Sequence, residues 1–484
     1  VLLILASSTA QAQDPAPQFE ETACPQSVEA VGLRVSCGYL VVPEDRSRPG
    51  GPTIRLLVAI FHSTSKTPAP DPVVYLVGGP GASSIRDAPD LMQIFKPYLQ
   101  DRDFILLDQR GTGMAEPSLD CPEYTEALRA NLDYAAPAQD LNAILFDCRQ
   151  RLVDSGVNLA AYTSAANAAD LDALRRALGY EQWNLHGISY GTRLALTALR
   201  DYPEGIRAVI LDSTYPPQAD LYTELPANIT RALDTLFDAC ADDAGCSADY
   251  PNLNAVFYEA VAALNRNPAI IHVTYRAGDQ ATYDTRVNGS TFIDILFDSL
   301  YRTEIIPDLP RLIYAARDGD YHLLREPLER YILGSEDINE AMYYSVQCSE
   351  EVPFSREALQ NTLGSPISIP IRAVFGSRTT NMLTLCDHWH SAIPDPVENE
   401  PVKSDIPTLV LAGEYDPVTP PTWGALAAET LSSSYFFTIP GYGHGVTRAG
   451  ECPLSIAVDF LNGPTAAPNA ACIEALDGPL FVAR

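Results

Sequence analysis

Three residues far apart in the chain have the types that acyl transfer needs: Ser189, Asp416 and His444. A serine hydroxyl is a poor nucleophile at neutral pH. It needs a base to take its proton, and the base needs an acid to orient it. Ser189 lies in His186-Gly187-Ile188-Ser189-Tyr190-Gly191, a G-x-S-x-G pattern. Alone the pattern is weak, because glycine and serine also build ordinary surface turns. Its flanks give it meaning. Residues 182–186 are short and mostly bulky, as a buried strand is. Leu194, Ala195, Ala198 and Leu199 then recur at helical spacing and stop before Pro203. Strand, sharp turn and helix is the context that exposes such a serine at a sheet edge. The free N–H groups of the helix start favour developing negative charge there.

The base must come from seven histidines, at 62, 186, 272, 322, 388, 390 and 444. His444 follows the last strand, in the flexible run Gly441-Tyr442-Gly443-His444-Gly445. His186 ends the strand before the turn and reads as a packed neighbour. His388 and His390 form an H-x-H beside Asp387, which reads as cap surface rather than as a metal site. The acid should follow the penultimate strand, within Gly413-Glu414-Tyr415-Asp416-Pro417. Asp416 is the choice, with Glu414 as competitor and Asp212 as an alternative after an earlier strand. Two backbone donors must face the oxyanion: the N–H of Tyr190, and that of Gly79 in Gly78-Gly79-Pro80-Gly81, since Pro80 has none to give. Losing one such donor costs about 2.7–4 kcal/mol of transition-state stabilisation. The glycine run is no phosphate loop, because no G-K-[ST] follows it.

The elements that must hold these residues are legible in outline. Residues 37–43 and 54–60 read as an antiparallel pair about a Pro/Gly turn at 48–52. Residues 73–77 and 104–107 are continuous apolar runs, as in a parallel sheet covered on both faces, and 208–212 reads as another buried strand. A helix over 164–178 ends at Gly179. From about 215 the rhythm stops; it returns at 408–412 and 435–439. The pattern predicts an α/β-hydrolase: a mostly parallel central sheet with a large, mainly helical cap inserted after the sixth strand. The expected boundaries are a signal peptide over 1–12, a loose leader over 13–30, and core over 31–219. A cap follows over 220–400, then core again over 401–484.

Composition agrees with a globular enzyme. The chain has 484 residues, 46% hydrophobic and 19% charged, enough for a large core. Its net charge of −30 repels phosphate backbones and anionic lipid heads, so neither nucleic acid nor a stable membrane association is expected. The apolar run Val1-Leu2-Leu3-Ile4-Leu5-Ala6 precedes an A-x-A site ending at Ala12. It is too short to span a bilayer. No Met and no basic residue precede it, which fits a start that has been shortened. No cysteine follows, against a lipoprotein. Cleavage after Ala12 and export to the periplasm or medium are expected. Ten cysteines, an even number, suit that compartment. The simplest pairing joins neighbours: Cys24–Cys37, Cys121–Cys148, Cys240–Cys246, Cys348–Cys386 and Cys452–Cys472. Each such bridge contributes about 2–4 kcal/mol. No C-x-x-C pair suggests zinc, and no cofactor or metal is expected.

Several runs together resemble one family. Val77-Gly78-Gly79-Pro80-Gly81 is similar to the H-G-G-P-G loop of proline iminopeptidases, with Val77 in place of His. Asp108-Gln109-Arg110-Gly111-Thr112-Gly113 is similar to their D-Q-R-G-x-G. Gly187-Ile188-Ser189-Tyr190-Gly191-Thr192 resembles the G-x-S-Y-G-T of secreted tripeptidyl aminopeptidases, as do 413–420 and 440–445. The resemblance implies an exported serine aminopeptidase with Ser189, Asp416 and His444 as triad, acting on short peptides with free N-termini. It also implies a cap acid for the substrate ammonium. Ser345-Val346-Gln347-Cys348-Ser349-Glu350 resembles the subgroup's A-[IV]-x-C-x-D, which points to Glu350 with Glu351 beside it. Arg110 is expected to tie loops together. The alternatives are an esterase or lipase with the same triad, acting on small esters, and a non-catalytic binding protein, which would lack a triad member.

Overall fold

The computed structural model describes residues 17–48, 50–274, 281–334, 338–359, 367–389 and 393–484. The expected signal peptide over 1–12, the start of the expected leader, Pro49 and His390 lie outside them. Among the described residues nine strands form one sheet, in the order β1-β2-β3-β5-β4-β6-β7-β10-β11. They are β1 (Gln18–Thr22), β2 (Val35–Pro43), β3 (Thr53–Phe61), β4 (Val73–Leu76), β5 (Phe104–Leu107), β6 (Trp183–Ile188), β7 (Ile206–Asp212), β10 (Thr408–Gly413) and β11 (Ser434–Ile439). A separate hairpin, β8 (Ala269–Thr274) with β9 (Thr282–Val287), lies in the cap. β1, β2 and β3 pair antiparallel, and β3 pairs antiparallel with β5. From β5 onward every pairing is parallel.

The central strands β4, β5, β6 and β10 are buried at every position. Helices cover both of their faces, which is why their sequences run apolar without alternation. One face packs into the core that includes Val74, Ile105, Leu185 and Val410. The other holds Tyr75, Phe104, Leu106 and Leu411.

Two parts differ from expectation. The leader is not loose. Residues 18–22 form edge strand β1, paired from Gln18↔Val41 to Thr22↔Cys37. The Phe19 ring packs against Gly38, where a Cβ would meet it at 2.4 Å. The cap therefore leaves the sheet after its seventh strand rather than its sixth. The cap also contains the β8–β9 hairpin, whose alternating burial follows Ala269, Ile271 and Val273.

Helices make up the rest of the cap, among them Leu221–Asp242, Gly289–Tyr301, Glu340–Glu350 and Ile369–Trp389. They pack around a hydrophobic core of their own, with Leu236, Phe257, Phe292 and Ile313 fully buried. The disulfides are Cys24–Cys37, Cys121–Cys148, Cys240–Cys246, Cys348–Cys386 and Cys452–Cys472, and no cysteine is free among the described residues. No helix of the described residues is long and apolar enough to cross a membrane.

Candidate active site

The serine sits on a bent hinge between β6 and the helix Tyr190–Asp201. Ser189 has φ 60° and ψ −126°, a left-handed conformation for a non-glycine residue. Such a conformation costs on the order of 1–3 kcal/mol and persists only where neighbours enforce it. Here they do. Ser189 N–H donates to the Asp212 carbonyl at 3.1 Å, and Thr192 N–H and Oγ1 donate back to the Ser189 carbonyl at 2.9 and 2.6 Å. Gly191 lets the helix start pass β4: a Cβ there would meet Leu76 O at 1.9 Å. Gly78 faces the turn itself, where a Cβ would lie 2.9 Å from Ser189 Cβ. The glycine loop therefore runs directly against the serine and brings Gly79 into the same cavity. Tyr190 opens the helix, so its N–H is one of the free donors of that terminus.

The expected base and acid come from the loops after β11 and β10. His444 Nδ1 lies 2.8 Å from Asp416 Oδ2. Asp416 is fully buried, and its other contacts are Val418 N–H, Thr419 N–H and the Thr419 hydroxyl at 3.0, 2.9 and 2.7 Å. Burial alone would raise its pKa. His444 and the Thr419 donors outweigh that and hold it below the usual carboxylate value. An ionised carboxylate can only accept, so Nδ1 carries the imidazole proton and Nε2 keeps its lone pair. The cap pins both loops. Tyr301, ending the helix Gly289–Tyr301, accepts from His444 N–H at 2.9 Å and lays its ring 4.7 Å from the imidazole. Arg231 of the cap donates to the carbonyls of Glu414 and Asp416. The competitor Glu414 turns away and accepts from Gly441 N–H at 2.8 Å.

Asp212, the alternative acid, lies behind the same loop. Its carboxylate accepts from Val446 N–H, Thr447 N–H and the Thr447 hydroxyl at 2.9, 2.8 and 2.6 Å. Burial raises its pKa, against those hydrogen bonds. With its hydroxyl given to Asp212, Thr447 accepts from His186 Nε2 at 3.2 Å. The Tyr98 hydroxyl approaches His186 Nδ1 at 3.1 Å. Burial drives the His186 pKa down to about 3, so this imidazole is a neutral strut.

Ser189 and His444 line one cavity of about 510 Å³. Its walls include Gly78 and Gly79 from the glycine loop and Phe297 and Tyr301 from the cap. Asp87, Asp298, Arg302, Arg378 and Arg448 supply its charged groups. None of these charged residues was legible in the sequence, because each owes its place to how cap helices and surface loops pack. Larger surface grooves exist, such as one of about 560 Å³ at Leu33, Gln93 and Leu454, but the serine is not part of them.

The structure does not bring Glu350 and Glu351 to this cavity. Both are buried beside the elbow helix. Glu350 accepts from Ser164 N–H and Oγ at 2.5 and 2.6 Å, and lies 3.6 Å from Arg193 Nε. Glu351 meets the other arm of Arg193. Burial raises the pKa of both, that of Glu351 to about 7. They tie the cap to the core instead of offering a charge to a substrate. Arg110 is likewise internal, donating to both oxygens of Asp170 and to the carbonyls of Glu44 and Ala161. Asp108 holds the segment after the glycine loop through Ser83 Oγ and Ile85 N–H. His388 packs against Phe146.

Comparison with known proteins fits this geometry. Residues 71–241 match the model of the alpha/beta hydrolase fold, and residues 372–472 match that of the TAP-like proteins. Serine protease Hip1 of Mycobacterium tuberculosis is 28% identical over 466 residues, covering 90% of this chain and 86% of that protein. The tripeptidyl aminopeptidase of Streptomyces lividans is 30% identical over 198 residues, covering 38% of this chain and 36% of that protein.

Proposed function

We infer that this chain, which belongs to the α/β-hydrolases and ends in a TAP-like part, is an exported serine peptidase that acts on short peptides from a free N-terminus. The observation that carries this is the buried Asp416 bound to His444 Nδ1, with the imidazole and Ser189 sharing one capped cavity. His444 takes the Ser189 proton at Nε2 as the hydroxyl attacks the peptide carbonyl. Asp416 holds the ring and stabilises the imidazolium. The N–H groups of Gly79 and Tyr190 receive the oxyanion. His444 then protonates the leaving amine, and water clears the acyl-enzyme. Asp87 in the cavity wall provides counter-charge for a substrate ammonium, the role that the buried Glu350 and Glu351 leave vacant. The names of the relatives, a serine protease and an aminopeptidase, support peptides as substrates. The five disulfides and the apolar run at 1–6 support export.

One observation favours an ester substrate instead: the carboxylate pair expected at the substrate's end is engaged by Arg193. Hydrolysis of chromogenic peptides of one, two and three residues, with free and acetylated N-termini, separates the two. Cleavage only with a free N-terminus is the expected result. Cleavage of a short-chain ester alone, with every peptide inert, would contradict it.

A further inference from the structure

The surface of this protein is strongly acidic, yet the cavity around Ser189 and His444 holds more arginines than aspartates. Two of the three arginines are engaged. Arg378 meets Asp294 at 2.6 Å, and Arg302 meets Asp298 at 3.3 Å. Arg448 differs. Among the described residues no carboxylate lies within ion-pair distance of it, and its side chain is exposed to solvent at the cavity wall. Its near neighbour is the Tyr75 hydroxyl, which faces the same space and is buried.

The backbone that carries Arg448 is fixed. It lies four residues past His444 in the turn Val446–Ala449, whose first two N–H groups are held by Asp212. Its guanidinium is thus presented from a rigid base, a short span of chain from the general base. A guanidinium is a planar fork of donors that matches a carboxylate in two parallel hydrogen bonds. A cation without a carboxylate partner, beside a nucleophile in an otherwise anionic protein, favours an anionic group on the substrate.

We propose that Arg448 is a specificity residue that binds a carboxylate of the substrate next to the scissile bond. This deepens the hydrolase function assigned to Ser189 and rests on it. The carboxylate belongs either to an acidic side chain or to the C-terminus of a short peptide. With Asp87 on the same wall, the second source lets the cavity grip both ends of a small zwitterionic peptide.

The test uses matched probes that differ by one charge, hydrolysed by the purified full chain. One pair is a tripeptide with a free or an amidated C-terminus. A second carries Glu or Gln beside the scissile bond. A third is an aryl hemisuccinate ester against its methyl ester. The wild type is expected to prefer the charged member of at least one pair by about tenfold in kcat/KM. That preference should shrink with added salt, because the pair is open to solvent. Arg448→Met should collapse the ratio towards one, and Arg448→Lys should restore part of it. A ratio unchanged in Arg448→Met, or a wild type that favours the neutral member of every pair, overturns the proposal. If only esters are cleaved, the peptidase function fails while the ester pair still decides the role of Arg448. If Arg448→Met does not fold, Arg448→Lys and the wild-type salt dependence carry the decision.

Discussion

Two buried aspartates lie at the ends of adjacent parallel strands, β7 and β10, and both reach the loop that carries His444. Asp212 is the last residue of β7, and Asp416 follows β10 by three positions. Each accepts two backbone N–H groups and one threonine hydroxyl. They differ in one partner. Asp416 also binds the imidazole of His444, and its pKa lies below the usual value. Asp212 has the Ser213 hydroxyl at 3.4 Å instead, and burial leaves its pKa raised. Burial and hydrogen-bond count do not distinguish a charge-stabilising carboxylate from a scaffold. What distinguishes them is whether the bound group becomes cationic during the reaction. The same rule separates Asp416 from Glu350 and Glu351, whose cation is a permanently charged, fully enclosed arginine.

The contrast breaks most sharply at Asp416. Asp416→Asn should lower kcat by about a thousandfold to ten-thousandfold with little change in fold, because the amide no longer fixes the Nδ1–H tautomer. Steady-state kinetics beside a far-UV spectrum read both. Asp212→Asn should act in the other direction: a stability loss of about 1–3 kcal/mol from mismatched donors at residues 446 and 447, with kcat reduced far less. Were Asp212→Asn to cost as much activity as Asp416→Asn in a folded protein, the assignment of the two carboxylates would be reversed.

The effect confined to acid pH concerns the strut behind Asp212. Unfolded, His186 titrates near 6.5; folded, burial keeps it neutral down to about 3. Between those values the unfolded chain binds the extra proton. This residue therefore contributes a stability loss as pH falls through the window, and none above it. Urea unfolding of His186→Gln at a series of pH values should show a shallower acid loss than the wild type, by up to about 3 kcal/mol near pH 4. Parallel curves would mean that His186 is protonated in the folded protein.

Much of the sheet was legible because β4, β5 and β10 are covered on both faces and so run apolar without interruption. β1 was not. The run Gln18-Phe19-Glu20-Glu21-Thr22 has one apolar residue, and its register is set by the Phe19 ring over Gly38, a contact between distant residues. The hairpin β8–β9 was missed because six alternating residues in a helical region give a weak signal. At the site, Ser189 and His444 announce themselves through the glycine turns that expose them. Asp416 followed from chain order. Glu350 was misplaced because a motif on a helix does not state which way the helix faces, and Arg193 sits on the inward side. Arg448 carries no sequence signal, since its meaning comes from the cavity it borders and the absence of a carboxylate near it among the described residues.

The central claim is that Ser189 is the nucleophile served by His444. It is tested most directly by reacting the purified protein with an aryl fluorophosphonate and locating the adduct by peptide mass spectrometry. One phosphonyl group on the peptide that contains Ser189, absent in Ser189→Ala, with hydrolysis lost in parallel, is the result expected. An adduct on another residue, or a Ser189→Ala variant that still turns over substrate at more than a trace, would contradict the account.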